Sequence, residues 1–168
     1  MKCEMAVRAP PGQQLIVTFE SLDIAPGYSG CADFLSLIDG DLQEQTPVPG
    51  VAKKLCGTEA PAPVITSGRA VTLRFDSNTI EEGQGFTAVI TPFHQGECTR
   101  DEYRCDNDRC IDRRLMCDDH DNCGDGSDKC WLSVTAVVVI VIITIIVFAI
   151  LVLVAVIYLY KDTLKKTL

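Results

Sequence analysis

Between Trp131 and Tyr160 lie thirty residues without a single charge. Within Val134 to Ile157 the only polar side chains are Thr135 and Thr144. An α-helix over that stretch is roughly 36 Å long, enough to cross a ~30 Å hydrocarbon core with some tilt. A core helix of a water-soluble domain would show a polar face, and this one shows none. Trp131 at one edge, and Tyr158 and Tyr160 at the other, suit the aromatic belts of the two interfaces. The sequence therefore predicts one transmembrane helix over 131–160, with the lipid bilayer as a partner and a short tail over 161–168.

Flanking charge does not orient this helix. Lys161, Lys165 and Lys166 follow it, while Arg113, Arg114 and Lys129 precede it, so the positive-inside count is a tie. Cysteine usage decides. All nine cysteines precede the helix, and six of them crowd into Cys98 to Cys130. That density belongs to an oxidising compartment. The N-terminal part is expected outside, as in a type I protein, and the tail in the cytoplasm. With a net charge of −8, nucleic acid is excluded as a partner. Met1 to Gly12 holds no apolar run that could serve as a signal peptide, which predicts an N-terminal truncation.

Composition changes near His94. Before it, short strand-like runs alternate with segments rich in Pro, Gly and Asp. Leu15, Val17 and Phe19 alternate in one run, and Val71, Leu73 and Phe75 in another. Phe34 to Ile38 and Phe86 to Ile90 read as two more strands. Short strands with turn signals and no helical period predict an antiparallel β-sandwich. After it, Cys98, Cys105, Cys110, Cys117, Cys123 and Cys130 fall in a segment too short for a core that stands alone. Its other apolar residues are Tyr103, Ile111, Leu115 and Met116. Zinc is one reading of such a cluster, but an exported segment of this kind is more often a disulfide framework, for which six cysteines allow 15 connectivities. Asp118, Asp119, Asp121, Asp125 and Asp128 crowd its last loop with no base before Lys129. Carboxylates so placed repel one another unless a hard cation sits among them, and calcium is the extracellular choice.

The first stretch resembles a CUB domain, on RAPPGQQLIVTF (Arg8 to Phe19), CADFLSLIDG (Cys31 to Gly40), LCG (Leu55 to Gly57), AVTLRFDSN (Ala70 to Asn78) and GFTAVI (Gly85 to Ile90). The resemblance implies a β-sandwich whose first strands are missing. It also implies a Cys31–Cys56 disulfide and, for Cys3, a partner upstream of Met1. Many CUB domains bind calcium through one Glu and two Asp. Here only Asp33 matches; Ala25 and Asn78 fall where the other acids would be, so calcium is not expected in this domain.

Cys98 to Cys130 resembles a low-density-lipoprotein-receptor class A repeat. The resemblance implies the pairs Cys98–Cys110, Cys105–Cys123 and Cys117–Cys130. It implies Ca2+ held by the side chains of Asp118, Asn122 and Asp128 and the backbone carbonyls of Leu115 and His120, with Asp125 and Ser127 closing the loop. Two departures stand out. Lys129 takes the place of the family's sixth, acidic ligand, and Leu115 stands where lysine-binding repeats often carry Trp. The domains expected are thus 1–92 (CUB-like, incomplete), 93–97 (linker, with a solvated His94), 98–130 (class A), 131–160 (membrane helix) and 161–168 (tail).

The module order is similar to that of the neuropilin- and tolloid-like proteins and of small class-A-domain-containing membrane proteins. It implies a non-enzymatic co-receptor or auxiliary subunit at the plasma membrane. Such a protein would engage an extracellular or membrane protein in cis, through a basic residue of the partner on the acidic class A face. His94 and His120 are the only histidines, with no nucleophile near either in sequence, so no catalytic triad is expected. The alternative is an endocytic or secretory-pathway trafficking receptor, with Lys165-Lys166-Thr167-Leu168 as a retrieval signal to the endoplasmic reticulum.

Overall fold

A computed structural model describes the chain except for residues 28, 29, 45, 79–82, 131–133 and 168; for 134, 135, 158–160 and 162–167 it describes the backbone alone. Trp131 and Leu168 thus lie outside the described residues. Two compact units result, Met1–Lys129 and Cys130–Leu168.

The first unit is built from strands β1 (Lys2–Arg8), β2 (Gln14–Asp23), β3 (Phe34–Asp39), β4 (Val64–Ile65), β5 (Ala70–Asp76), β6 (Gly85–Gln95), β7 (Glu102–Arg104) and β8 (Arg109–Asp112). They form two antiparallel sheets, in the orders β1-β5-β3 and β4-β2-β6-β8-β7. The alternating residues do what the pattern requires. Leu15, Val17 and Phe19 of β2 meet Leu35 and Leu37 of β3 and Val71 and Leu73 of β5 in the core between the sheets. The Cys31–Cys56 disulfide ties the segment before β3 to a loop that Leu35 and Leu55 clamp with two backbone hydrogen bonds of 2.9 and 2.8 Å.

Strand β1 was not expected. It pairs with β5 over its whole length, from Lys2 against Asp76 to Arg8 against Ala70. It is an exposed edge strand, and only Val7 packs on the core. Its alternation of Cys3, Met5 and Val7 with Lys2, Glu4 and Arg8 is the signal that the absence of an apolar run hides.

The second difference lies at the expected linker. Phe93, His94 and Gln95 are the end of β6, and His94 and Gln95 pair with Cys110 and Arg109 of β8. The hairpin of the cysteine-rich segment therefore extends the sandwich's own sheet. Its core is shared as well. Ile16 of β2 and Phe93 of β6, both essentially inaccessible to solvent, cluster with Cys105, Ile111 and Cys123. Ile16 and Thr91 are register partners on the sheet face opposite Leu15, Val17 and Phe19. This explains why β2 is buried at five consecutive positions: both of its faces are covered. The cysteine-rich segment, too short for a core that stands alone, shares one with the sandwich, which supplies the missing apolar surface. Gly124 shows how close the approach is. A Cβ there, at φ +73°, would lie 3.2 Å from Ile16 Cγ2 and 3.2 Å from Pro63 Cβ.

The second unit is helix α1 (Val134–Thr167), so the expected tail continues the helix. Its stretch Ala136–Ile157 is long and apolar enough to cross a membrane. The Thr144 hydroxyl donates to the Val141 carbonyl at 2.8 Å, so its proton is bonded within the helix.

Candidate ligand and cation site

The acidic loop follows a 3-10 turn, Arg113–Leu115, capped by Asp112. Asp112 accepts from Arg114 N at 2.9 Å and from the Arg114 guanidinium at 2.7 Å. The guanidinium bond, followed by the backbone one, holds the carboxyl down at about 2. Beyond the turn the chain takes left-handed conformations at Cys117 and Asp119; of the loop's acids only Asp128 is buried, while Asp119 and Asp125 are exposed.

Most of these carboxylates already hold backbone N–H groups. Asp121 accepts from Gly124 N (2.7 Å) and Gly126 N (3.0 Å). Asp125 accepts from Ser127 Oγ (2.6 Å), Ser127 N (3.0 Å) and Asn107 N (2.9 Å). Burial works to raise the Asp125 carboxyl, but these bonds and the Arg109 charge outweigh it and keep it below the usual range. Asp128 is buried and accepts from Asn122 N (2.8 Å) and Cys123 N (3.3 Å). The five acids are thus less in need of a cation than their spacing suggests.

Of the five expected cation ligands, Leu115, Asp118 and Asn122 meet directly, and Asp128 is joined to them through Asn122 N. Asn122 Nδ2 lies 3.1 Å from the Leu115 carbonyl and 2.9 and 3.1 Å from the two oxygens of Asp118. Asn122 is buried, and its Oδ1 accepts from Thr91 Oγ1 of β6 at 2.8 Å. Among the described hydrogen bonds the His120 carbonyl has no part in this group; its backbone N donates to Asp118 at 3.0 Å. Lys129 is exposed, and its backbone N donates to the Gly126 carbonyl. An all-oxygen set of Asp118, Asp128 and the Leu115 carbonyl suits a hard cation such as calcium, with the Asn122 amide turned to present Oδ1.

The His120 ring turns to the sandwich. Its Nδ1 meets Glu20 of the sandwich. Glu20 is the extra residue of a β-bulge, where the β2–β6 register shifts between Phe19 and Ser21, and a bulge re-aims a side chain in this way. The hydrogen bond and charge of Glu20, with Asp118 and Asp119 nearby, raise the imidazole pKa. His94, expected to be solvated, bonds Glu102 Oε1 at 2.9 Å through Nε2. Cys110 lies within 4.8 Å of that pair. Its sulfur is committed to a disulfide with Cys98, which leaves the three without a thiolate for a metal. The third disulfide joins Cys105 to Cys123, and Cys117 and Cys130 are also disulfide-bonded. Cys3 is a free, exposed thiol.

In the sandwich, Asp33 is buried and accepts from Ser77 Oγ (2.9 Å) and Asn78 N (2.8 Å), so it holds a strand-end turn. A cleft of about 580 Å³ opens between Val89 and Thr91 of β6 and Leu115, Asp118 and His120 of the loop, and Asp112 and Arg114, paired to each other, line it as well. Neither segment forms it alone.

Several known proteins are similar to this chain in sequence. Mouse membrane frizzled-related protein is 29% identical over 130 residues, 76% of this chain and 21% of that protein. Human inactive serine protease PAMR1 is 30% identical over 61% of this chain and 15% of its own length, and mouse tolloid-like protein 1 is 28% identical over 58% and 9%. The chain thus spans about a fifth or less of these relatives. Among solved structures, the CUB1-EGF-CUB2 domain of human MASP-1/3 superposes with a TM-score of 0.46 at 15% identity, covering 66% of this chain and 49% of that one. The family model for the CUB domain matches residues 1–89, more than half of the 168. With its two antiparallel sheets and the Cys31–Cys56 bridge, the chain belongs to the CUB domain family.

Proposed function

We propose that this chain is a single-pass type I membrane protein that binds a protein partner in cis at the outer face of the plasma membrane. Its CUB domain and a class A repeat over Cys98–Cys130 would act together as a co-receptor or auxiliary subunit. The cleft carries this reading. Val89 and Leu115 offer aliphatic surface and Asp118 a carboxylate, the complement of a lysine or arginine side chain with its long stem. The aligned stretch of 130 residues in the membrane frizzled-related protein cannot fit before Cys98, so part of the cysteine-rich segment belongs to what the two proteins share. Calcium, when bound, would be held by Asp118, Asn122, Asp128 and the carbonyls of Leu115 and His120, and would offset part of the negative charge of the acidic rim. A CUB match is compatible with a non-enzymatic role. The trafficking alternative requires instead that Lys165 and Lys166 keep the chain inside the cell.

A photo-crosslinking residue at Val89, and separately at the exposed Leu42 outside the cleft, in the full-length chain on cells tests this. Capture of a membrane protein from position 89 but not 42, abolished by Asp118→Asn, is expected. Equal capture from both positions, or capture that ignores Asp118, would remove the cleft from the account.

A further inference from the structure

The geometry points to the Asn122 amide as an internal stand-in for the cation: held from outside by Thr91, it keeps the acidic loop of Cys98–Cys130 assembled without calcium. The inference rests on the class A reading of that segment. Its warrant is hydrogen-bond satisfiability. The Leu115 carbonyl and the Asp118 carboxylate can only accept. With no ion among them, an Asn oxygen facing these three oxygens would be repelled, so in that state the NH2 faces them. One amide hydrogen then serves Leu115 (3.1 Å) and the other is shared by the Asp118 oxygens (2.9 and 3.1 Å). The amide oxygen faces outward and needs a donor. Thr91 of the sandwich supplies it at 2.8 Å, in a buried position.

A hydroxyl can donate or accept. Thr91 therefore suits either orientation of the amide, NH2 inward without an ion or Oδ1 inward as a ligand. An acid at this position could not do this, because without an ion it would place a third carboxylate beside Asp118 and Asp128. The remaining order of the segment has sources independent of metal: the shared core with Ile16 and Phe93, the strand pairing of His94 with Cys110, and Arg109. Arg109 donates to the Cys123 carbonyl at 3.0 Å while its guanidinium lies 5.4 Å from the Phe93 ring centre. Docking on the sandwich thus does for this segment what calcium does for a free-standing one.

Hydrogen exchange over residues 115–128 of the full-length chain in detergent micelles, with millimolar calcium or with a chelator, tests the inference. The wild type should change by less than about twofold on chelation. Asn122→Asp should exchange at least about tenfold faster in chelator and recover with calcium, because its loop then folds only with the ion. Asn122→Leu, which fills the site without hydrogen bonds, should exchange fast in both conditions. A wild type that opens on chelation as Asn122→Asp does, or an Asn122→Leu chain as protected as the wild type, would overturn the inference alone. Calcium-displaceable terbium luminescence separates the other failure: if Asn122→Asp binds no terbium, the class A reading falls and the inference with it.

Discussion

Phe93→Ala should destabilise the unit Met1–Lys129 by about 3–5 kcal/mol, the usual cost of emptying a fully enclosed aromatic site. The expected damage is not confined to the sandwich. Phe93 is about 1% exposed and lies among Ile16, Cys105, Ile111 and Cys123, so the void opens between β6 and the cysteine-rich hairpin. The Arg109 guanidinium also loses the ring it lies over. Chemical denaturation should show a lower midpoint, and non-reducing mass mapping should show scrambled pairing among Cys98, Cys105, Cys110 and Cys123. Phe93→Leu keeps most of the volume and should cost less than half as much. Native pairing in Phe93→Ala would mean that the segment orders itself without the sandwich.

The second large effect concerns the bridge inside that shared core. Removing it with Cys105→Ala and Cys123→Ala together releases a loop of 18 residues, worth about 3 kcal/mol on the chain-entropy model. Both cysteines are buried to within 2%, so the lost sulfur contacts with Ile16, Phe93 and Ile111 add to that cost. The Cys31–Cys56 bridge closes a longer loop of 25 residues, yet both of its cysteines are only half-buried. By loop length alone, removing it should cost slightly more; with burial counted, it should cost less. Denaturation midpoints of the two double variants decide which contribution dominates, and equal or reversed midpoints would mean that burial of the Cys105–Cys123 sulfurs contributes little.

Much of the sandwich was legible because its strands alternate. Leu15, Val17 and Phe19 declare one face, and Leu35, Leu37, Val71 and Leu73 fill the facing sheet as the period-2 pattern requires. Ile16 was the unread clue. An apolar residue on the opposite face of the same strand means that something covers that face, and the cysteine-rich segment does. Phe93 was hidden by its position in a stretch read as a connector. Strand β1 was hidden by its alternating charges, which an edge strand keeps on view.

Part of the acidic loop's side-chain grouping was legible in the sequence, and its hydrogen bonding was not. Leu115, Asp118 and Asn122 do meet, and Asp128 is tied to them through Asn122 N. Counting carboxylates from Asp118 to Asp128 overstated the need for a cation, because a sequence does not show which backbone N–H groups each one accepts. Asn at position 122 was the available signal. One acid fewer among the ligands, with a donor of its own, changes what the loop requires in order to fold. Nor could spacing foresee that Thr91 and Glu20, remote in sequence, would contact the loop from the sandwich.

The account stands on the claim that the CUB sandwich and the segment Cys98–Lys129 are one body with a continuous sheet and a shared core. Hydrogen exchange of the full-length chain in micelles, followed segment by segment through a denaturant series, measures this directly. Strands β2 and β6 and residues 103–128 should lose protection together, in a single transition with one midpoint. Opening of residues 103–128 at lower denaturant, while β2 and β6 stay protected, would contradict it.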